Sequence, residues 1–538
     1  MALTIADLFE HTVDVVPDRL ALIVGDVRLS YAELGAAANR FADHLRKVGV
    51  EPGQHVGLMA ANTSEHVIAM LGCFKARVVP INVNYRYLEA ELDYLFGNSE
   101  IVALVLEGRF AAVVDPILTR HPRLHEVVVI EDGSAPPTSR EFTTWADVLA
   151  GGNPVRPQIE RSDDDLYIVY TGGTTGYPKG VMWRQADVWR TLGGGRDFVT
   201  RELLGEYDQS RAAAAVETPQ VAMHLGPIMH ANGQWGLLLR LFTGHTSVLL
   251  PKFDPVEVWR TVEREGVNTM SLIGDAMARP LIEEYERGGW KAEGFTTVTS
   301  GAAVLSAEVK RRWLTTFPGL RLIDVIGSSE TGMTGNAPVR LDDPTEQGTL
   351  VSAGPGTLVL DDDNRVMDLD TEIGATGRMA TSGHIPVGYF GDPEKTAATF
   401  PTIDGVRYAV PGDVVRIEPG RRLTLLGRGS ACINTGGEKV YPDEVEAVIK
   451  SHPSVFDTLV IGLPDPRFGQ QVAAVVQARP GAEVDHEQLR DHVRGQLSGY
   501  KVPRTVVTVA QVPRHETGKA DYTSAKKLAE ELLERQTS

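Results

Sequence analysis

Between residues 55 and 106, three apolar runs, His55 to Ala60, Val78 to Asn82 and Ile101 to Leu106, alternate with helical patterns at Ser64 to Lys75 and Glu89 to Asn98. Strand, helix, strand at this spacing closes a crossover unit, which makes neighbouring strands parallel and demands cover on both faces of their sheet. The alternation returns at Thr246 to Leu250, Val256 to Glu265, Thr269 to Ile273 and Thr297 to Ser300. An α/β chain with two doubly wound, mostly parallel sheets is expected. Upstream, Ile5 to Val16 is amphipathic, Ala21 to Val24 and Val27 to Leu29 read as a short hairpin, and Tyr31 to Val48 as a helix capped by Ser30. At 538 residues the chain exceeds what one core supports, so two or more domains are expected.

The apolar run Leu166 to Tyr170 leads into Thr171-Gly172-Gly173-Thr174-Thr175-Gly176-Tyr177-Pro178-Lys179-Gly180. Glycines let backbone N–H groups approach a ligand, threonine hydroxyls add donors and the lysine adds charge, a composition suited to a polyanion. A Walker A loop is excluded, because Pro178 precedes the lysine and Gly180 follows it. A Gly/Thr-rich surface turn is the plainer alternative to a phosphate loop.

Next come Gly193-Gly194-Gly195 and an acidic, alanine-rich stretch, Arg201 to Glu217, to which the pattern assigns no element. Gly301-Ala302-Ala303 follows a strand, where a doubly wound fold places a ligand-binding turn. The strand candidate Leu322 to Ile326 runs into Gly327-Ser328-Ser329-Glu330-Thr331-Gly332, whose carboxylate and hydroxyls suit a magnesium ion bridging phosphates; a glycine turn with an exposed glutamate is the other reading. From about 345 to 425, short β-type runs separated by Gly, Asp and Pro indicate a small antiparallel or barrel-like unit. Residues 441 to 536 read helix, strand, strand, helix, strand, helix, an α+β unit, with the domain boundary at 428 to 431.

Composition narrows the function. A net charge of −18 repels nucleic acid and anionic membranes, so a phosphate-bearing ligand must be held by a local basic, N–H-rich pocket. No basic n-region precedes an apolar run at the start, and the most apolar long stretch, Val67 to Val83, is broken by Lys75 and Arg77. Two cysteines make neither a disulfide framework nor a four-ligand zinc site. A cytoplasmic protein is expected, its partners small molecules, with no nucleic acid and no transmembrane segment; a homodimer is allowed.

The order of Thr171 to Gly180, Gly327 to Gly332, Gly412-Asp413, Gly427-Arg428, Gly436-Gly437-Glu438-Lys439 and Gly518-Lys519 resembles the adenylate-forming acyl-CoA synthetases, the superfamily shared with nonribosomal-peptide adenylation domains and firefly luciferase. The resemblance runs along essentially the whole chain. It implies a large N-terminal AMP-binding domain (1–428) and a small mobile C-terminal domain (431–538), with ATP, Mg²⁺ and coenzyme A as the reacting set. A carboxylate attacks the α-phosphate, pyrophosphate leaves, and a thiol then displaces AMP from the acyl-adenylate.

By that resemblance, Thr171 to Gly176 and Lys179 hold the β and γ phosphates, Glu330 holds Mg²⁺, Ser329 stands where a phosphate-contacting threonine is usual, and Thr331 also belongs to the nucleotide site. Asp413 accepts from the ribose hydroxyls beside Arg428, and Gly301, Ala302, Ala303 and Asp324 form the adenine site. Lys519 reaches the carboxylate and the α-phosphate, His230 gates the carboxylate, and Gly436 and Gly437 line the pantetheine tunnel after the small domain swings about a hinge at Ser430. A structural role for His230 remains open. Three positions depart from the pattern: Ser430 where Asp or Lys is usual, Ile326 where an aromatic stacks on adenine, and Ser329 for threonine. Met182-Trp183-Arg184, Gly274 to Pro280 and Ser382 to Tyr389 resemble the actinobacterial branch that activates steroid side chains and long acids. Small residues at Gly193 to Gly195 and at Ala231, Asn232 and Gly233, beside His230, either leave room for a wide polycyclic acid or let helices pack closely.

Two rival functions stand beside the ligase. One is an adenylating enzyme that loads a separate acyl carrier protein, since no Ser-bearing module follows the helix expected at Ser524 to Arg535. The other is a non-catalytic acid- or nucleotide-binding relative, against which the retention of Lys179, Glu330, Asp413, Arg428 and Lys519 argues.

Overall fold

The computed structural model describes residues 3–537 except 173–176, 192–194, 196–201, 303, 304, 306, 342–349, 355, 362, 429–432, 441 and 514–520. Among the described residues the strands form sheets of fifteen, eight and five. In the eight-stranded sheet His55–Met59 pairs in parallel with Val79–Asn82 and Ile101–Glu107, and Val79–Asn82 pairs in parallel with Leu166–Gly172. Every residue of His55–Met59 and Ile101–Glu107 is buried, as strands covered on both faces must be. Helix Ser64–Lys75 shares one apolar cluster with Leu22 and Val24 of the larger sheet and with Val56 and Leu58 of this one, so it is buried nearly all round.

The two cations that interrupt Val67 to Val83 have structural partners. Lys75, 1% exposed, donates to Glu10 at 2.7 Å, and Arg77 pairs with Asp165 at 2.7 Å. Among the described residues no helix is long and apolar enough to cross a membrane.

The fifteen-stranded sheet is parallel from Leu20–Val24 through Thr246–Leu249, Val221–His224, Thr269–Leu272 and Thr297–Ser300 to Arg321–Ser328, and antiparallel from Gly332–Pro338 onward. The β-rich unit of 345 to 425 is antiparallel, as its short punctuated runs imply. It is hydrogen-bonded onto the parallel part through Gly332–Pro338 and Leu350–Ala353. Within Arg201 to Glu217 the chain forms helix Asp208–Ala215.

The five-stranded sheet contains Ile433–Thr435, Glu438–Val440, Val455–Asp465, Gly469–Ala478 and Thr505–Val509. Helices Pro442–Lys450, His486–Arg494 and Tyr522–Thr537 complete a small α+β domain in the expected order. The expected boundary, 428 to 431, begins at the last residue of strand Arg422–Arg428, and its remainder lies outside the described residues.

Candidate active site

The strands on either side of the glycine-rich motif pair as a hairpin. Leu166–Gly172 runs antiparallel to Pro178–Arg184, with Thr171 opposite Lys179 and Gly172 opposite Pro178. Sequence reasoning missed the second strand because Pro178-Lys179-Gly180 reads as a turn. Glycine is required at position 180 by cross-strand packing, since a Cβ would lie 2.8 Å from the Tyr170 ring. Gly173, Thr174, Thr175 and Gly176 lie outside the described residues. No helix follows the tip directly, so among the described groups Lys179 supplies the positive end.

Lys179 and Glu330 both meet Tyr389, one over its ring and the other at its hydroxyl. Lys179 Nζ lies 5.9 Å from the Tyr389 ring centroid, and Tyr389 Oη donates to Glu330 Oε1 at 2.9 Å. Lys179 also donates to Asp392 Oδ2 at 2.8 Å, and this hydrogen bond holds the Asp392 carboxyl below its usual range against the opposing effect of burial. Neither Tyr389 nor Asp392 was picked out from sequence as a site residue; Asp392 caps helix Pro393–Thr399, accepting from the Lys395 N–H. Glu330 is only 8% exposed, which removes the reading of an exposed glutamate on a glycine turn. Its N–H donates to Ser328 Oγ, which also bonds Thr331 Oγ1, and the Ser329 carbonyl accepts from Trp183 Nε1 at 2.9 Å, tying this loop to the hairpin. Among the described residues no three His, Cys, Asp or Glu side chains gather as a metal cluster. One buried carboxylate nevertheless fits Mg²⁺, which keeps waters and substrate phosphates as its remaining ligands.

Asn82, 5% exposed, joins the start of the hairpin tip to His230. Its amide nitrogen donates to Tyr170 O at 2.9 Å and to Met229 O at 2.7 Å, and its carbonyl accepts from Tyr170 N at 2.7 Å. The residue before Thr171 and the residue before His230 are thus held by one side chain. Sequence reading placed Asn82 at the end of a strand and gave it no role.

At the turn expected to meet adenine, Gly301 donates to Leu272 O at 3.3 Å, and Ala302 sits at φ +65°, a left-handed conformation that a Cβ disfavours. Ala303 lies outside the described residues. Asp324, opposite Ser300 on the next strand, accepts from Lys310 Nζ at 2.5 Å, so the carboxylate expected to meet an exocyclic amine already holds an ammonium. Ile326 packs with Val351 and Val415 in the core of the antiparallel unit. Asp413 is buried and lies opposite Arg428 in the strand register, next to Gly412 at φ +95°. The Arg428 side chain, Ser430 and Lys519 lie outside the described positions, as do Gly193 and Gly194.

The small domain meets the large one at His230. Glu438 Oε1 accepts from Arg86 Nη1 at 2.5 Å and lies 3.3 Å from His230 Nε2. Burial alone would raise the Glu438 carboxyl; His230, Arg86 and Lys501 together lower it. Gly436 and Gly437, at φ +60° and +87°, form the turn beside it, and a Cβ on Gly437 would fall 2.5 Å from Ile273 Cγ2 of the large domain. The contact therefore requires glycine in both backbone and volume. Phe468 packs on Gly436, and the Arg504 and Arg467 guanidiniums lie 4.1 and 5.0 Å from its ring centroid. Of the small residues expected to widen an acyl pocket, Ala231 is buried and Asn232 exposed. Gly233 serves close packing: its Cβ position lies 2.4 Å from the Pro227 carbonyl oxygen, so it leaves no space for a ligand there.

A family model described as AMP-binding enzyme matches residues 9–388, and one described as AMP-binding enzyme C-terminal domain matches residues 444–519. The chain is 48% identical over 537 residues to a Mycobacterium tuberculosis protein named medium/long-chain-fatty-acid–CoA/3-oxocholest-4-en-26-oate–CoA ligase, across 98% of this chain and 97% of that one. It is 44% identical over 537 residues to the 3-oxocholest-4-en-26-oate–CoA ligase of Rhodococcus rhodochrous, across 98% and 96%. Among solved structures, amide bond synthetase McbA from Marinactinospora thermotolerans aligns with a TM-score of 0.81 at 23% identity over 97% of this chain and 99% of that one, a likeness of fold.

Proposed function

The chain belongs to the AMP-binding enzyme family and is an AMP-forming acyl-CoA synthetase, and we propose that its acid is large and hydrophobic, of steroid, terpenoid or long-chain type. The names of the relatives at 48% and 44% identity support that class of acid. ATP and coenzyme A as co-substrates favour a cytoplasmic reaction.

In the first step a carboxylate oxygen of the acid bonds to the α-phosphorus of ATP while the bond to pyrophosphate breaks. In the second, the coenzyme A sulfur bonds to the acyl carbon and AMP leaves with the bridging oxygen. Lys179 and the N–H groups of the hairpin tip bind the β and γ phosphates, where charge builds as pyrophosphate departs. Glu330 would hold Mg²⁺, which when bound neutralises charge on those phosphates. Asp413 takes the ribose hydroxyls, Gly301 to Ala303 line the adenine, and Lys519 stabilises the α-phosphate in the displacement. His230 orients the carboxylate. Gly436 and Gly437 admit the pantetheine arm, and Phe468 with Arg467 and Arg504 offers its nucleotide end a ring and two cations. The hinge lies at Ser430, and the small domain serves adenylation and thioester formation in two different poses.

One observation carries this reading. The phosphate lysine and the metal carboxylate converge on Tyr389, while Asn82 locks the same hairpin to the segment bearing His230. The test supplies ATP, Mg²⁺ and coenzyme A with a panel of fatty, aromatic, steroid and diterpenoid acids, and follows pyrophosphate and thioester. Lys519→Ala is expected to abolish adenylation while sparing thioester formation from preformed acyl-adenylate. Equal loss of both half-reactions contradicts two poses, and adenylate without thioester moves the chain to carrier loading.

A further inference from the structure

Glu91 belongs to the large domain and its carboxylate is out of water, yet two of its hydrogen-bond donors come from the small domain. Oε1 accepts from Lys501 Nζ at 2.6 Å and Oε2 from Ser498 Oγ at 2.9 Å; the Leu88 N–H, at 3.0 Å from Oε2, is a local partner at the start of helix Glu89–Ser99. The Glu91 and Lys501 side chains are each 4% exposed. The ammonium lies 5.5 Å from the ring centroid of Tyr87 and 5.7 Å from that of Tyr500, one aromatic from each domain. A desolvated, hydrogen-bonded ion pair therefore spans the interface.

Two features distinguish this pair from an ordinary buried ion pair. Its partners sit on separate domains, so it forms and breaks whenever the domains dock and part. Apart, both charges are hydrated; docked, each exchanges water for the other, and desolvation nearly offsets attraction. A contact so balanced closes and releases, as a turnover step requires. The second feature is its neighbour. Arg86 and Glu91 of the large domain face Glu438 and Lys501 of the small one, and Lys501 is close enough to act on Glu438. With signs alternating on each surface, a displaced register would set like charges against one another.

We infer that Glu91, Ser498 and Lys501 form a docking latch for the pose in which Gly436 and Gly437 face the large domain, and that they position the small domain for thioester transfer while taking no part in adenylation. The inference rests on the two-pose reading above. These are positioning residues, since none is placed against substrate.

Lys501→Met strands a buried carboxylate in the docked pose only. It should slow thioester formation from the preformed adenylate of the acid found in the panel by roughly tenfold or more, while pyrophosphate release changes by less than about twofold. Glu91→Gln/Lys501→Met removes both charges and keeps an acceptor for the Leu88 N–H, so it should recover most of the lost rate. Should Lys501→Met fail to fold, Ser498→Ala deletes one hydroxyl, leaves both charges, and should slow the second step alone by roughly threefold. Unchanged half-reactions, equal slowing of both, or a double variant slower than Lys501→Met would each overturn the latch. Failure of the ligase reading shows separately, as no ATP-dependent thioester from the unaltered chain.

Discussion

Arg86 of the large domain donates to Glu438 of the small domain at 2.5 Å, and the same carboxylate oxygen lies 3.3 Å from His230. The residue expected to gate the carboxylic acid is thus met by the loop that carries Gly436 and Gly437. Glu438→Gln keeps the shape and removes the charge. Thioester formation should fall by roughly tenfold with adenylation preserved, because the hydrogen-bonded charge contact exists only in the docked pose, and Arg86, 44% exposed, is partly screened. Stopped-flow measurement of each half-reaction checks this; a slowed adenylation step would place Glu438 in the first reaction as well.

Gly437→Ala should act in the same direction by a different route. A Cβ at φ +87° is strained, and it would stand 2.5 Å from Ile273 Cγ2. Strain and clash together cost about 1–3 kcal/mol in the docked pose, so the second half-reaction should drop by roughly 5- to 150-fold. Pairing it with Ile273→Ala, which empties the space but leaves the φ penalty, should restore part of the rate. No rescue would show that Gly437 does not meet Ile273 in the working enzyme.

What the sequence made legible is what periodicity and local chemistry govern. Helix Ser64–Lys75 begins and ends where its pattern does, and helix Tyr31–Lys47 starts at the Ser30 cap with Glu33 completing the box. The order of elements after residue 442 was readable for the same reason. Asn82 was hidden because its importance comes from two carbonyls far apart in sequence, a relation with no local signature. The strand Pro178–Arg184 was hidden by turn chemistry at its first residues. Asp324 was visible as a carboxylate near the adenine turn, but its partner Lys310 lies on the intervening helix Ala307–Thr316, where side-chain direction decides the pairing. Glu91 and Lys501 each sit in segments whose local patterns are satisfied without the other.

Asn82→Ala should damage both fold and chemistry. It leaves the Tyr170 N–H and the carbonyls of Tyr170 and Met229 without this partner, which should cost about 2–4 kcal/mol of large-domain stability. Because the phosphate hairpin and His230 lose their common anchor, KM for ATP and for the acid should rise together. A variant that is less stable yet keeps both KM values would reduce Asn82 to a stability element.

Glu330→Ala should raise the Mg²⁺ concentration needed for half-maximal pyrophosphate release and lower turnover, since the carboxylate that would hold the ion is gone. Tyr389→Phe should shift the same curve less, because it removes one donor to Glu330 Oε1 and leaves the carboxylate in place. A Mg²⁺ titration of both variants reads the order. An unchanged requirement in Glu330→Ala would show that the glutamate does not bind the metal.

Acid should destabilise the large domain well before carboxylates titrate. Burial holds His66 down to about 4 and His224 down to about 3, from an ordinary 6.5. Each also has a buried Nε2 with no hydrogen-bond partner, so a proton there would be an unpaired buried charge. Above about pH 6.5 both imidazoles are neutral folded or unfolded, and they give no pH dependence. Below it the unfolded rings take up protons that the folded ones refuse, so each contributes a fall of about 1.4 kcal/mol per pH unit until its folded value is reached. The buried Glu10 carboxyl, lowered by Arg161 and Lys75 against the opposing effect of burial, keeps its contribution throughout this window and loses it only further down. Unfolding temperatures measured between pH 7 and pH 5 should therefore fall steeply, and His66→Asn/His224→Asn should flatten the curve without abolishing it, because His245, also held down to about 4 by burial, remains. The difference between the two curves must move in the double variant's favour as the pH falls; parallel curves would place the acid-sensitive groups elsewhere.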